Sequence, residues 1–221
     1  PSSLWQSVSG KGAYSRCIEF TDDGKFLITC SGEGIYLCDL ETLQTTDSWA
    51  DETQRFDCIS ASSTNRLCAV EDSHTDVRLY DLGTRHMIAH KELETDAGVN
   101  AGLYSPDGSI LAFQRSRNGT VALFDANSLD EMPLDETIDW HQLVFSPDSK
   151  WLVVNSNNDI KFWDIEAGKY GRSIVQAHAE GIGCLAFSFD GRYLATAGQD
   201  RSVRLWDPHS GELQLDLTAH R

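Results

Sequence analysis

Four stretches of the chain repeat one pattern of apolar and polar positions: a short apolar strand, a polar turn and a second apolar strand. They are "CIEFTDDGKFLITC" from Cys17, "GLYSPDGSILAF" from Gly102, "LVFSPDSKWLVV" from Leu143 and "LAFSFDGRYLAT" from Leu185. Asp in such a turn bonds neighbouring amides, and Gly adopts positive φ without penalty, so each stretch predicts a β-hairpin. The second unit departs from the pattern, because "SASSTNRLCA" stands where the others carry the turn.

A third strand follows each hairpin and ends in aspartate. These strands are "GIYLCD" to Asp39, "DVRLYD" to Asp81, "TVALFD" to Asp125, "DIKFWD" to Asp164 and "SVRLWD" to Asp207. The aspartates are 42, 44, 39 and 43 residues apart, which indicates a repeat rather than a set of unrelated hairpins. We expect these aspartates to form turns, not a ring of acid catalysts.

The period and the terminal aromatic-Asp pair resemble the WD-repeat family of β-propellers. The resemblance implies an all-β fold with about five four-stranded antiparallel blades, whose strands are lettered a to d from the channel outward. It places the blades near 15–48, 55–90, 98–134, 139–176 and 181–217, within a single domain over 1–221. It also implies a preceding d strand at 3–8 and an incomplete next repeat at 218–221.

The last unit matches the family motifs most fully. Ala177-His178 occupies the Gly-His position of the family, and Trp206-Asp207 forms the terminal dipeptide. The resemblance implies a structural hydrogen-bond chain of His178, Thr196, Asp200 and Trp206. We do not expect this His-Asp pair to be catalytic, because the unit has no Ser or Cys on a nucleophile turn.

The extra strand at the start and "TAHR" at the end predict a propeller that lacks strands a to c of one blade. Three alternatives remain open: a fragment of a longer propeller, an open ring completed by a partner, and a ring of five blades. Exposed sheet edges favour association, so a partner or a further chain segment is expected to complete the ring.

The charge of the chain narrows the class of partner. Lys and Arg total 18 against 34 Asp and Glu, a net charge of −16, so direct binding of nucleic acid is not expected. In the family, the d-to-a and b-to-c loops form the usual binding face, and the d-to-a loops here hold twelve acidic residues against Arg55 and Lys91. We expect a non-enzymatic scaffold, a subunit of a larger complex, that binds a Lys/Arg-rich segment of a protein partner. The expected contact residues are Glu92, Glu94, Asp96, Asp135 and Glu136.

Two alternative functions have their own sequence features. Arg115, Arg117 and Arg201 fall in b-to-c loops, and clustered arginines can bind phosphate, which suggests a phosphopeptide-reading receptor. The segment "DSHTD" from Asp72 to Asp76 could ligate a metal in an enzyme, but it supplies only one His, and no Cys or His cluster supports a zinc site. We expect neither a metal nor a cofactor.

The six cysteines include no C-x-x-C pair, and each lies in an apolar run where a free thiol acts as a small buried hydrophobe. This usage favours a reducing compartment, cytoplasmic or nuclear. No apolar run is long enough for a transmembrane helix, so no membrane insertion is expected.

Overall fold

A computed structural model describes residues 17–21, 23–31, 34–49, 55–71, 75–93, 99–115, 120–134 and 142–218. These residues form nineteen β-strands and no helix, arranged as four four-stranded sheets and one three-stranded sheet. The predicted all-β class of antiparallel four-stranded blades is confirmed. The strand expected at 3–8 lies outside the described residues, as do 219–221. The chain clusters into two compact units, one of 1–104, 108–118 and 124–130 and the other of 105–107, 119–123 and 131–221.

Blades 1 and 2 belong to the first unit, and each is a meander with strands in chain order. Blade 1 contains β1 (Cys17–Phe20), β2 (Phe26–Ser31), β3 (Gly34–Asp39) and β4 (Gln44–Trp49). Blade 2 contains β5 (Phe56–Ala61), β6 (Arg66–Glu71), β7 (Asp76–Asp81) and β8 (Met87–Glu92). A third sheet contains β9 (Val99–Tyr104), β10 (Ile110–Arg115) and β11 (Val121–Asp125).

Blades 4 and 5 belong to the second unit and are also four-stranded meanders. Blade 4 contains β12 (Leu143–Phe145), β13 (Trp151–Ser156), β14 (Asp159–Asp164) and β15 (Lys169–Ile174). Blade 5 contains β16 (Ile182–Phe187), β17 (Leu194–Gly198), β18 (Val203–Trp206) and β19 (Leu213–Leu217).

Each unit has an apolar core between neighbouring blades. In the first unit, Ile28 and Leu37 of blade 1 pack with Phe56 and Leu67 of blade 2. In the second unit, one face of blade 4 packs against the inner strands of blade 5. The buried members of this second core are Val153, Ile160, Phe162, Ile174, Ala177, Ile182, Leu185, Leu194 and Trp206. Burying such side chains contributes about 1.5–3 kcal/mol each, so the sheets are stabilised mainly in pairs.

The a-to-b turns show how blade 2 forms its hairpin although its sequence lacks the Asp-Gly pair. In blade 5, the Ser188 hydroxyl donates to Asp190 at 2.7 Å, and Gly191 takes a φ of 69°. In blade 2 the corresponding oxygens of Ser62 and Thr64 lie 2.9 Å apart, and Asn65 takes a φ of 62°. Thr64 and Asn65 therefore replace the Asp and Gly, and the hairpin forms without the motif.

The aspartates that end the c strands form turns, as expected. Asp207 Oδ1, for example, accepts the amide of His209 at 2.7 Å, and the Asp207 carbonyl accepts the Gly211 amide at 2.8 Å. The residue four places after each aspartate has positive φ: Leu43, Arg85, Leu129, Gly168 and Gly211. Because the amides hold the charged form, the pKa values of Asp39, Asp81, Asp125 and Asp207 are lowered.

All six cysteines are free thiols, but they are not all buried. Cys30, Cys38 and Cys68 are buried, whereas Cys17 and Cys58 are partly exposed and Cys184 is exposed. The expectation of burial is wrong for Cys184, because its side chain alternates with buried Leu185 along β16 and lies on the other face of the sheet. No helix among the described residues is long and apolar enough to cross a membrane.

Candidate interaction surface and polar network

The structure brings together His178, Thr196, Asp200 and Trp206 in one hydrogen-bonded chain. Trp206 Nε1 donates to Thr196 Oγ1 at 2.9 Å, and Thr196 Oγ1 lies 2.7 Å from His178 Nε2. The second ring nitrogen, His178 Nδ1, lies 2.9 Å from Asp200 Oδ1. Strands β17 and β18 therefore present their polar groups to the loop between β15 and β16.

Donor and acceptor chemistry fixes the direction of this chain. The Asp200 carboxylate can only accept, so His178 Nδ1 donates to it; in the neutral imidazole Nε2 then accepts the Thr196 hydroxyl, whose oxygen also accepts the Trp206 indole N–H. Both ring nitrogens are engaged, and His178 and Thr196 are both buried, so a substrate cannot reach the imidazole or the hydroxyl beside it.

Asp200 anchors the loop as well as the ring. Its Oδ1 accepts the Ser202 hydroxyl at 2.6 Å, and its Oδ2 accepts the Ala179 amide at 3.0 Å. Burial alone would raise the pKa of Asp200, but the hydrogen bonds from Ser202, His178 and Ala179 outweigh burial and lower it well below 3.8. The carboxylate is thus held charged at neutral pH.

The close approach of the network to the backbone requires Gly198. A Cβ at this position would lie 2.1 Å from His178 Nδ1 and 2.6 Å from Asp200 Oδ1. Even alanine at 198 would therefore displace the imidazole from its hydrogen bonds.

Blade 4 has the tryptophan but lacks the network. In β13 and β14, Trp163 pairs with Leu152 as Trp206 pairs with Leu194, so Val154 takes the place of Thr196. Trp163 is fully buried, and its Nε1 has no hydrogen-bond partner. A buried unsatisfied donor costs about 1–3 kcal/mol.

The loop end of blade 2 carries several acidic residues, and the arginine of its strand c is neutralised within the blade. Arg78 lies 2.7 Å from Glu71 and 3.0 Å from Asp76, and Asp76 also contacts His90 at 2.9 Å. Burial alone would lower the pKa of Arg78, but attraction to Asp76 and Glu71 outweighs it and raises the pKa. Glu92, opposite Asp76 in the ladder, is exposed and makes no ion pair among the described residues.

Blade 5 repeats this arrangement at the same register. Arg204 stands two residues before Trp206, as Arg78 stands two before Tyr80. Its Nε lies 2.9 Å from Asp216 and its Nη1 lies 3.4 Å from Asp200. In both blades two carboxylates therefore neutralise the arginine of strand c.

The structure describes only some of the other residues that are expected to contact a partner. Glu94, Asp96, Asp135, Glu136 and Arg117 lie outside the described residues. Arg115, at the end of β10, is partly buried and belongs to the first unit, whereas Arg201 is exposed, with a φ of 64°, in the second.

The alternative of a metal site requires a cluster of ligand side chains, and the described residues contain none. Among those residues, no group of three or more His, Cys, Asp or Glu side chains could hold a metal ion. Residues 72–74 of the "DSHTD" segment lie outside the description, and Asp76 bonds Arg78 and His90.

Two residues that bond to the network, Ser202 and Arg204, were not predicted from the sequence. Ser202 bridges Asp200 and His178, and Arg204 reaches the carbonyl of Ala177 and the carboxylate of Asp200. The spacing of Arg78 and Arg204 before the terminal aromatic residue is a signal that could have identified Arg204.

Comparisons with known proteins agree with this fold and motif. Residues 138–164 and 170–207 match the family model described as WD domain, G-beta repeat. WD repeat-containing protein 90 of Xenopus tropicalis is 35% identical over 149 residues, covering 59% of this chain and 8% of the relative. Guanine nucleotide-binding protein subunit beta-1 of Nicotiana tabacum is 29% identical over 214 residues, covering 89% of this chain and 56% of the relative.

A chain in the crystal structure of the Mitotic Checkpoint Complex has the same fold, with a TM-score of 0.74 at 21% identity. That likeness covers 96% of this chain and 67% of the other. Residues 138–164 and 170–207 therefore match WD repeats, and the described chain has the fold of its structural neighbour. The chain spans just over half of the tobacco relative and less than a tenth of the frog relative.

Proposed function

We propose that the chain is a non-enzymatic protein-interaction scaffold that binds a Lys/Arg-rich segment of a partner at the loop end of its blades. The observation that carries the proposal is the internal neutralisation of Arg78 and Arg204. At the loop end of blade 2, Arg78 is already paired with Glu71 and Asp76, Lys91 lies 3.7 Å from Asp130, and Glu92 is exposed without an ion pair among the described residues.

Charge of this kind speeds encounter and selects partners of opposite sign more than it adds affinity. The partner would thus be basic, and its binding would weaken steeply with salt. The tobacco relative is by its name a subunit, which supports a role within an assembly. The free thiols support a reducing compartment, cytoplasmic or nuclear.

Two variants of equal net charge test the proposal. One changes Glu92, Glu94 and Glu136, which the sequence assigns to the d-to-a loops, to Gln. The other changes Glu41, Glu166 and Glu212 to Gln in exposed c-to-d turns at the opposite ends of their blades. The probe is a fluorescein-labelled oligolysine peptide, titrated at several salt concentrations.

The loop-end variant should lose about tenfold in affinity at low salt and show a weaker salt dependence. The turn variant should stay within about twofold of the unmodified chain. Equal losses in the two variants would show that only net charge matters and would refute a dedicated face.

A phosphopeptide receptor using Arg115, Arg117 and Arg201 stays a separate prediction. A phosphoserine peptide without basic residues, titrated in parallel, distinguishes it. Tighter binding of this peptide than of oligolysine would replace the proposal.

A further inference from the structure

A cavity of about 260 Å³ lies between blades 4 and 5, at the turn end of the blades and away from His178. Its walls include the aromatic side chains of Trp151, Phe162, Phe187 and Phe189. Phe189 is 101% exposed, although an aromatic residue at a turn gains nothing from the fold by facing water. The cavity is thus an apolar surface that the blades leave uncovered.

Arg172 of β15 places a cation within these aromatic walls. Its Cζ lies 4.1 Å from the ring centroid of Phe162 and 5.2 Å from that of Trp151. Its Nη1 donates to the His209 carbonyl at 2.6 Å, which fixes the plane of the guanidinium. Packing on two rings and one carbonyl holds the side chain in place without a carboxylate.

The arginine is left with unused binding capacity. Arg172 forms no ion pair among the described residues, and its Nε–H, enclosed by the surrounding side chains, has no hydrogen-bond partner. Burial lowers the pKa of Arg172, and the attraction of Asp207 offsets this only in part. A partly buried cation with an unpaired donor favours an anionic group beside it.

The two carboxylates at the cavity do not supply that group. Asp148 accepts the Ser146 hydroxyl at 2.6 Å, and Asp190 accepts the Ser188 hydroxyl at 2.7 Å. Each also accepts a backbone amide in its own turn, Lys150 for Asp148 and Arg192 for Asp190. They would repel a doubly charged phosphate more than a single carboxylate.

We propose that this cavity is a peptide-binding site for a partner segment in which an apolar side chain stands next to a carboxylate. The apolar side chain packs against Phe187 and Phe189, and the carboxylate pairs with the guanidinium of Arg172 where it lines the cavity. The volume accommodates one such residue pair rather than an extended ligand. This site takes an acidic segment, so it is distinct from the loop-end face that takes a basic one.

The direct test is an NMR titration of the full chain, following the Arg172 Nε–H signal. The probe is N-acetyl-Glu-Phe-amide, and its matched control is N-acetyl-Gln-Phe-amide. The Glu peptide should bind at least about tenfold more tightly and shift the Arg172 signal. Equal binding of the two peptides would overturn the proposal, as would tighter binding of inorganic phosphate than of acetate.

Variants separate binding from folding. Arg172→Gln should abolish the preference for Glu over Gln, and Arg172→Lys should retain part of it. Phe189→Ala should weaken binding about threefold without changing the thermal midpoint, because its side chain is fully exposed. Lys25→Gln removes an exposed cation of blade 1, in the other unit, and should bind normally. Full binding by both Arg172→Gln and Phe189→Ala would place the peptide elsewhere and overturn the proposal.

Discussion

Blades 4 and 5 are neighbours with the same strand order and the same buried tryptophan at the end of strand c, yet they satisfy that tryptophan differently. Trp206 donates to Thr196 within a chain that reaches the loop before the blade. Trp163 is fully buried beside Val154 and donates to nothing. The comparison shows that the tryptophan alone serves the apolar core, whereas the hydroxyl two residues along the neighbouring strand links the core to the loops.

The two blades also contribute different residues to the cavity at the turn end. Blade 4 contributes Arg172 and the rings beneath it, while blade 5 contributes Phe187 and Phe189 to the same cavity. Blade 5 therefore ties its loop end down with polar bonds and leaves its turn end open. The polar network and the uncovered cavity therefore lie at opposite ends of one sheet.

The largest expected effect comes from His178→Ala, which removes the centre of the network. The change leaves Thr196 and Asp200 without their shared partner and should lower the free energy of unfolding by about 3 kcal/mol. Urea unfolding measures it, with His209→Ala as a control in an exposed turn of the same blade, where the loss should stay below about 0.5 kcal/mol. A loss under about 1 kcal/mol for His178→Ala would show that the chain acts as a single ordinary hydrogen bond.

The pH dependence of stability should distinguish Asp200 from its amide variant. The folded state lowers the pKa of Asp200 below 3.8, so its contribution is fully present above that pH and is lost as pH falls toward the folded-state value. The native chain should be more stable than Asp200→Asn at neutral pH, and the difference should shrink below about pH 4. Urea midpoints at several pH values measure it, and parallel curves down to about pH 2.5 would contradict it.

The features of the blades that depend on local chemistry, the strands and the turns, can be predicted from the sequence. The strands follow from apolar alternation, and the turns follow from Asp and Gly at fixed places, so the sheets of both units were predictable. Ser62, Thr64 and Asn65 show where this reasoning stops, because a hydroxyl and an amide can build the same turn without the motif residues.

What the sequence could not predict depends on register and on neighbouring blades. The position of Val154, two residues along β13 from the partner of Trp163, follows only from the pairing of β13 with β14. The cavity is also invisible to a linear pattern, because Arg172, Phe162 and Phe189 come from three separate segments. The acidic loop residues could be proposed from composition, but the pairing of Arg78 and Arg204 required the geometry of strand c.

A smaller effect should follow from giving blade 4 the missing hydroxyl. Val154→Thr adds an acceptor beside Trp163 Nε1. Burying the new hydroxyl lowers the free energy of unfolding, and the hydrogen bond to the indole should recover about 1 kcal/mol of that loss. The control is Val153→Thr, equally buried but on the apolar face toward blade 5, where the hydroxyl has no indole and should cost about 2 kcal/mol.

The Val154→Thr chain should therefore be more stable than the Val153→Thr chain by at least about 1 kcal/mol. A downfield shift of the Trp163 indole N–H signal would identify the bond itself. Equal stability of the two variants, with an unchanged indole signal, would show that the Val154 position does not correspond to Thr196.

The smallest expected effect concerns the a-to-b turns of the two blades, where Gly191 and Ser149 both have positive φ. Gly191→Ser meets no steric clash but takes a strained backbone, so it should cost about 1 kcal/mol. Ser149→Gly relieves the same strain but removes the hydroxyl that accepts the Asp107 amide at 3.0 Å, so its two effects should nearly cancel. Thermal unfolding of both variants measures the difference. A clear gain for Ser149→Gly would mean that the bond to Asp107 contributes little, and that blade 4 retains serine there at a cost to stability.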